Sequence, residues 1–243
     1  MPHPGPREGS PDAPASPVHP HEIDEAHEST VPAPLPSERL VREDVARPRA
    51  LVLALHGGTV RSTAPVTGRS ASWHRMRAVQ RDIAAGLADA GVATWLLRYS
   101  ERGWNGDGAV VRADARAALA QVRAEHGDLP VVLLGHSMGA RVAVHEADDP
   151  QVVGVVGLAP WWQPDDPVTA LTGRHLRAAH GTGDHITSAT MTAAYVERAG
   201  RLTASAAFTP MGPVGHYMLR RVPAWHAAAL DGCLDVLRSA DAV

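Results

Sequence analysis

The sequence predicts an α/β fold, a mostly parallel central sheet with helices on both faces. Three observations predict it. Short β-rich apolar runs alternate with longer amphipathic stretches from about residue 37 onward, each run closes on glycine, proline or polar turn residues, and no segment repeats another. Strands joined by helical crossovers give this alternation, and such crossovers bring successive strands parallel.

In chain order, residues 1–36 are crowded with Pro, Glu, His and Ser and carry scarcely any large apolar side chain. They cannot bury enough surface to offset the entropy of ordering, so they read as a disordered tail. The stretch Val18-His19-Pro20-His21-Glu22 within it reads as solvated leader, and no metal is predicted there. Residues 37–243 form the folded domain. Its expected strands are 51–55, 92–98, 131–134, 152–158, 176–179 and 204–208. Its expected helices are 73–90, 109–126, 138–146, 188–199 and 223–239. In the first helix Met76, Val79, Ile83 and Leu87 recur at three- and four-residue steps, with Arg75, Arg77, Arg81 and Asp82 on other faces.

Size and charge narrow the function classes. At 243 residues with 44% hydrophobic side chains, the chain can hold one sizeable domain with a true core. A formal net charge of -3, with both signs mixed along the chain, offers no footprint for nucleic acid or an acidic membrane. Every basic residue is arginine, which fits a GC-rich coding bias and carries no functional weight. The single cysteine, Cys233, falls in the last apolar-periodic segment, so no internal disulfide can form. No apolar stretch approaches bilayer length and the amino terminus lacks a secretory pattern, so the cytoplasm is the expected location.

The chemistry centres on Gly135-His136-Ser137-Met138-Gly139, which follows directly on the apolar run Pro130-Val131-Val132-Leu133-Leu134. A strand that breaks at Gly-x-Ser-x-Gly and continues into a helix must turn sharply, which strains the serine backbone and requires small flanking residues. The turn lifts the Ser137 hydroxyl clear at the carboxyl edge of the sheet. A serine hydroxyl is a weak nucleophile at neutral pH, so it needs an imidazole to take its proton and a carboxylate to orient that imidazole.

For an elbow of this type both partners come later in the chain, acid before base. The best acid is Asp184, in the glycine-rich turn after residues 176–179. Asp165 and Asp166 are rivals, but beside Pro164 and Pro167 they read as a solvated turn. The best base is His216, in Gly212-Pro213-Val214-Gly215-His216-Tyr217, between the last strand and the final helix. Of the other histidines, His180 reads as an anchor for the acid loop, His185 points elsewhere, His226 lies inside a helix, and His136 is a structural neighbour of the nucleophile. The oxyanion needs two backbone N–H groups. Met138 supplies one; Gly58, in Leu55-His56-Gly57-Gly58-Thr59, supplies the other, with Thr59 as the close alternative.

Together the His56-Gly57-Gly58 turn, the Ser137 elbow, Leu158-Ala159-Pro160-Trp161, the Asp184 loop and Gly215-His216 resemble the α/β-hydrolase superfamily over residues 40–237. Within it, the chain is most similar to small bacterial serine hydrolases, simple esterases or dienelactone-hydrolase-like proteins, although true dienelactone hydrolases use a cysteine nucleophile. Ala140 stands where a second glycine is common. Many relatives insert a helical lid after the strand ending at Leu158; here the connection is short, so a minimal lid or none is expected. Trp104, Trp161 and Trp162 are candidates for an apolar wall of the substrate pocket, or for packing of the loops. Arg61, Arg69, Arg98 and Arg102 are candidates for recognising an acidic substrate, but in a lysine-free chain they read as surface arginines and no anion specificity is expected.

The expected function is hydrolysis of a small carboxylic ester, with thioester or amide as variants, through an acyl-enzyme on Ser137. No cofactor is called for, and the expected partner is a small-molecule ester. The same residues also allow transfer of the acyl group to another acceptor, and fold alone would allow a binding protein without turnover.

Overall fold

The computed structural model describes residues 35–243, together with 1, 2 and 5. The leader expected over residues 1–36 therefore lies almost wholly outside the described residues. Leu35 is buried against the core, and a 3-10 turn over Ser37–Arg39 leads into the first strand.

Among the described residues seven strands form one sheet: β1 (Leu40–Glu43), β2 (Ala50–Leu55), β3 (Val92–Leu97), β4 (Val131–His136), β5 (Val152–Leu158), β6 (His175–His180) and β7 (Ser205–Pro210). Their spatial order is β1-β3-β2-β4-β5-β6-β7. All neighbours are parallel except β1, which pairs antiparallel with β3, Leu40 opposite Leu97. The six expected strands are present within a residue or two. The additional β1 has no alternating apolar pattern, because an edge strand tolerates charge. Its Arg42 and Glu43 face outward, to Glu125 and Arg77, each at 2.8 Å.

Among the described residues five helices cover the sheet: α1 (Ala71–Asp89), α2 (Ala109–His126), α3 (Met138–His145), α4 (Ala189–Ala199) and α5 (Val222–Ser239). Strands buried on both faces read as continuous apolar runs, and β2 shows why. Leu51, Leu53 and Leu55 point into the layer that holds α2, α3 and α4, while Ala50, Val52 and Ala54 point into the layer under α1 and α5. The spacing of Met76, Val79, Ile83 and Leu87 brings all four to the buried face of α1. Gly91 ends that helix with a φ of 74°, a left-handed conformation that glycine adopts without strain.

Cys233 lies on the buried face of α5, and burial pushes its thiol pKa far up. No helix among the described residues is long and apolar enough to cross a membrane. The connection from β5 to β6 contains only a 3-10 turn at Thr169–Leu171, so it supplies no helical lid over the carboxyl edge of the sheet.

Candidate active site

β4 ends at His136 and α3 begins at Met138, so Ser137 alone makes the turn. Its φ of 54° and ψ of -118° lie where L-residues are strained, as the elbow motif requires. The flanking glycines make that turn possible. A Cβ on Gly135 would collide with the Ala140 backbone, and one on Gly139 with the Leu55 carbonyl. The strained backbone is tied on both sides: the Ser137 N–H donates to the Leu158 carbonyl at 3.1 Å, and the Trp161 N–H donates to the Ser137 carbonyl at 3.2 Å.

The structure brings Ser137, His216 and Asp184 into one line. The Ser137 hydroxyl lies 2.9 Å from His216 Nε2, and His216 Nδ1 lies 2.7 Å from Asp184 Oδ2. With Nδ1–H directed at the carboxylate, Nε2 presents its lone pair to the hydroxyl. Asp184 is held in turn by its own loop. Its Oδ1 accepts the N–H groups of Ile186 and Thr187 at 2.8 and 2.9 Å, and its Oδ2 accepts the Thr187 hydroxyl at 2.9 Å. Burial alone would raise the Asp184 pKa, but hydrogen bonds from His180, His216 and these N–H groups outweigh it and hold the carboxyl well below its usual range.

The other histidines fall into place. His180, fully buried, lies 3.0 Å from Asp184 Oδ2 and 2.7 Å from the Thr192 hydroxyl, so it braces the acid. His185 is exposed, and His226 pairs with Asp82 at 2.8 Å. His136 Nε2 donates to the His216 carbonyl at 3.0 Å, a tie between the Ser137 turn and the His216 loop that sequence reasoning did not find. Thr187 was missed too, although an aspartate binding N–H groups two and three residues onward is a common turn signature.

Of the two oxyanion candidates after β2, Thr59 commits its N–H to the Arg102 carbonyl at 3.0 Å. The Gly58 N–H has no backbone acceptor among the described residues. Gly58 is packed between the Arg102 carbonyl and the Met138 side chain, where a Cβ would not fit. Met138, as the first residue of α3, has a first-turn N–H with no partner in its own helix.

Two expectations are corrected. Trp104 and Trp162 do not wall the site, because both are buried in the core. The chain turns at Ala159, φ 41°, and sends Trp162 inward, where its Nε1–H donates to the Ala140 carbonyl at 2.9 Å and its ring packs on Tyr195. Trp104 packs against Trp161 and under the Arg141 guanidinium. Trp161 borders a separate, more polar cleft beside the Asp184 loop. Asp166 is likewise no solvated turn residue: it is buried and accepts from Arg141 Nε at 2.8 Å, with His145 Nε2 at 3.0 Å.

A cavity of about 550 Å³ opens instead on the other side of Ser137. Gly57, Gly58, His136 and His216 form its floor. The first turn of α1 with the residues before it makes one wall, and Tyr217 and Leu219, both exposed, make the rim.

Residues 81–180 match the sequence profile of the family described as serine aminopeptidase, S33. No curated protein matches the chain. Among solved structures, a serine hydrolase without a lid from Xanthomonas campestris superposes with a TM-score of 0.61 at 18% identity, covering 81% of this chain and 88% of that one. A thermophilic esterase from Thermogutta terrifontis, with propionate bound, gives 0.59 at 16% identity over 82% and 88% of the two chains. A Butyrivibrio proteoclasticus protein with ferulic acid bound gives 0.59 at 13% identity over 82% and 95%.

Proposed function

We propose that this chain, whose fold is that of the α/β-hydrolases, is a serine hydrolase that cleaves small carboxylic esters through an acyl-enzyme. The observation that carries the reading is the unbroken line from the strained Ser137 through His216 to Asp184, at 2.9 and 2.7 Å. A hydroxyl, an imidazole and a buried carboxylate in that order are the parts of nucleophilic acyl transfer. The ligands of two similar structures, propionate and ferulic acid, are the acid halves of such esters.

In this reading Ser137 Oγ attacks the ester carbonyl carbon while His216 Nε2 takes its proton. Asp184 keeps the proton-bearing Nδ1 in place and offsets the charge that forms on the ring. The N–H groups of Gly58 and Met138 receive the carbonyl oxygen as it becomes negative. The tetrahedral species collapses, His216 protonates the departing alcohol, and the acyl group stays on Ser137. Water, deprotonated by the same imidazole, then attacks the acyl carbon and releases the acid.

A fluorophosphonate that labels serine nucleophiles, applied to the wild-type chain and to Ser137→Ala beside hydrolysis of short and long nitrophenyl esters, tests the reading. Labelling on Ser137 with ester turnover is expected. Failure of the folded wild-type chain to take the label would overturn it.

A further inference from the structure

The wall of the cavity beside Ser137 carries charge of one sign. Arg69 and Arg75 line it, and no aspartate or glutamate does. Elsewhere in the fold arginines meet carboxylates, as Arg77 meets Glu43 and Arg141 meets Asp166, each at 2.8 Å. Neither Arg69 nor Arg75 has such a partner among the described residues. Arg75 is half-buried and its Nε is shielded from solvent without an acceptor. Burial lowers its pKa and no neighbouring carboxylate opposes that shift. One end of the guanidinium is fixed, because Nη2 donates to the Met218 carbonyl. The other donors of a five-donor planar fork remain for something else.

The helix adds to the same sign. Ala71, Ser72 and His74, in the first turn of α1, line the cavity. That turn holds no acidic residue, and the Ser70 side chain caps none of its N–H groups, accepting instead from the Thr67 N–H at 3.1 Å. The positive end of a helix of 19 residues thus abuts the cavity next to an unneutralised guanidinium.

We propose that the cavity selects esters bearing a carboxylate, with Arg75 as the specificity-determining residue and Arg69 in support at the mouth. A single planar fork matches one planar carboxylate through two parallel hydrogen bonds. The proposal rests on the serine-hydrolase reading and adds the substrate class to it.

Two pairs of esters test the proposal and distinguish which half of the substrate carries the acid: 4-nitrophenyl hydrogen glutarate against 4-nitrophenyl pentanoate, and 4-carboxyphenyl butyrate against phenyl butyrate. The readout is the ratio of kcat/KM within a pair, compared between variants, so that intrinsic reactivity and any general loosening around Met218 cancel. In one arm the ratio is expected to fall by about tenfold or more in Arg75→Gln, the scale of a lost charge-assisted hydrogen bond. It should fall less in Arg75→Lys, which keeps the charge, and stay at the wild-type value in Arg201→Gln, at an exposed position outside the cavity lining. Should Arg75→Gln fail to fold, the Lys variant and the salt dependence of the wild-type ratio decide, since salt weakens a half-exposed ion pair. A ratio that neither Arg75 substitution nor salt moves in either arm overturns the proposal while ester turnover and fluorophosphonate labelling persist. Absence of both turnover and labelling brings down the serine-hydrolase reading, and this proposal with it.

Discussion

His136 gives its Nε2–H to the backbone carbonyl of His216, 3.0 Å away, so the residue before Ser137 holds the loop that carries His216. A carbonyl only accepts, which fixes the tautomer and leaves Nδ1 of His136 without a proton and without a partner. Burial first, and then the nearby His216, lower the His136 pKa to about 3.

That neutral histidine makes stability depend on pH. In the unfolded chain an imidazole takes a proton near pH 6.5. Folded His136 does so only near 3, and His56, desolvated beneath Tyr99, only near 4. Below about pH 6.5 the unfolded state therefore binds protons that the folded state refuses, and stability, full above that pH, falls as the pH drops toward 4. Urea midpoints measured from pH 7 to 4.5 should decline in the wild type and decline less steeply in His136→Gln. Equal slopes would mean that His136 is not held neutral.

Ser137→Ala removes the proposed nucleophile without changing the volume of the turn by more than an oxygen atom. Turnover of a nitrophenyl ester should fall by roughly 10⁴-fold or more, with the melting temperature little changed. Stopped assays at high enzyme concentration measure the residual rate, and a variant within tenfold of wild type would count against the mechanism.

Asp184 and Asp166 are both buried acids, and mutation should separate their roles. Asp184→Asn turns the His216 tautomer the wrong way and should lower kcat by about 10³- to 10⁴-fold. Asp166→Ala leaves Arg141 without its buried partner and should cost about 3–5 kcal/mol of stability by denaturant titration. Where it remains folded, its kcat should stay within a few fold of wild type. A large catalytic loss in folded Asp166→Ala would reassign the acid.

Gly139→Ala drives a methyl group into the Leu55 carbonyl. Overpacking of this kind costs about 1–3 kcal/mol. Thermal melts should show the loss together with reduced turnover, because the displaced helix carries the Met138 N–H out of position.

What the sequence made legible was whatever depends on near neighbours in the chain. The two glycines around Ser137 announce the turn, and glycine-rich loops after β6 and β7 announce Asp184 and His216, because each lies where a strand delivers it. The pocket did not follow, since its wall depends on how distant segments meet. Periodicity places Arg75 off the buried stripe of α1, but not against Ser137 rather than bulk water. Trp162 does stand at the carboxyl end of a strand, yet the left-handed turn at Ala159 decides which way its ring goes. β1 escaped notice because its four residues, two of them charged, take their register from β3 rather than from any pattern of their own.

The segment between β5 and β6 is fastened down at several points: Arg141 grips Asp166, the Tyr195 hydroxyl reaches the Pro167 carbonyl at 2.5 Å, and Arg198 donates to the carbonyls of Pro164 and Asp166. A directed-evolution campaign would gain little from randomising that stretch, where most changes would spend stability before they reached the substrate. The productive library is the opposite rim, the α1 turn facing Tyr217 and Leu219, where side chains overlook Ser137 and the backbone need not move.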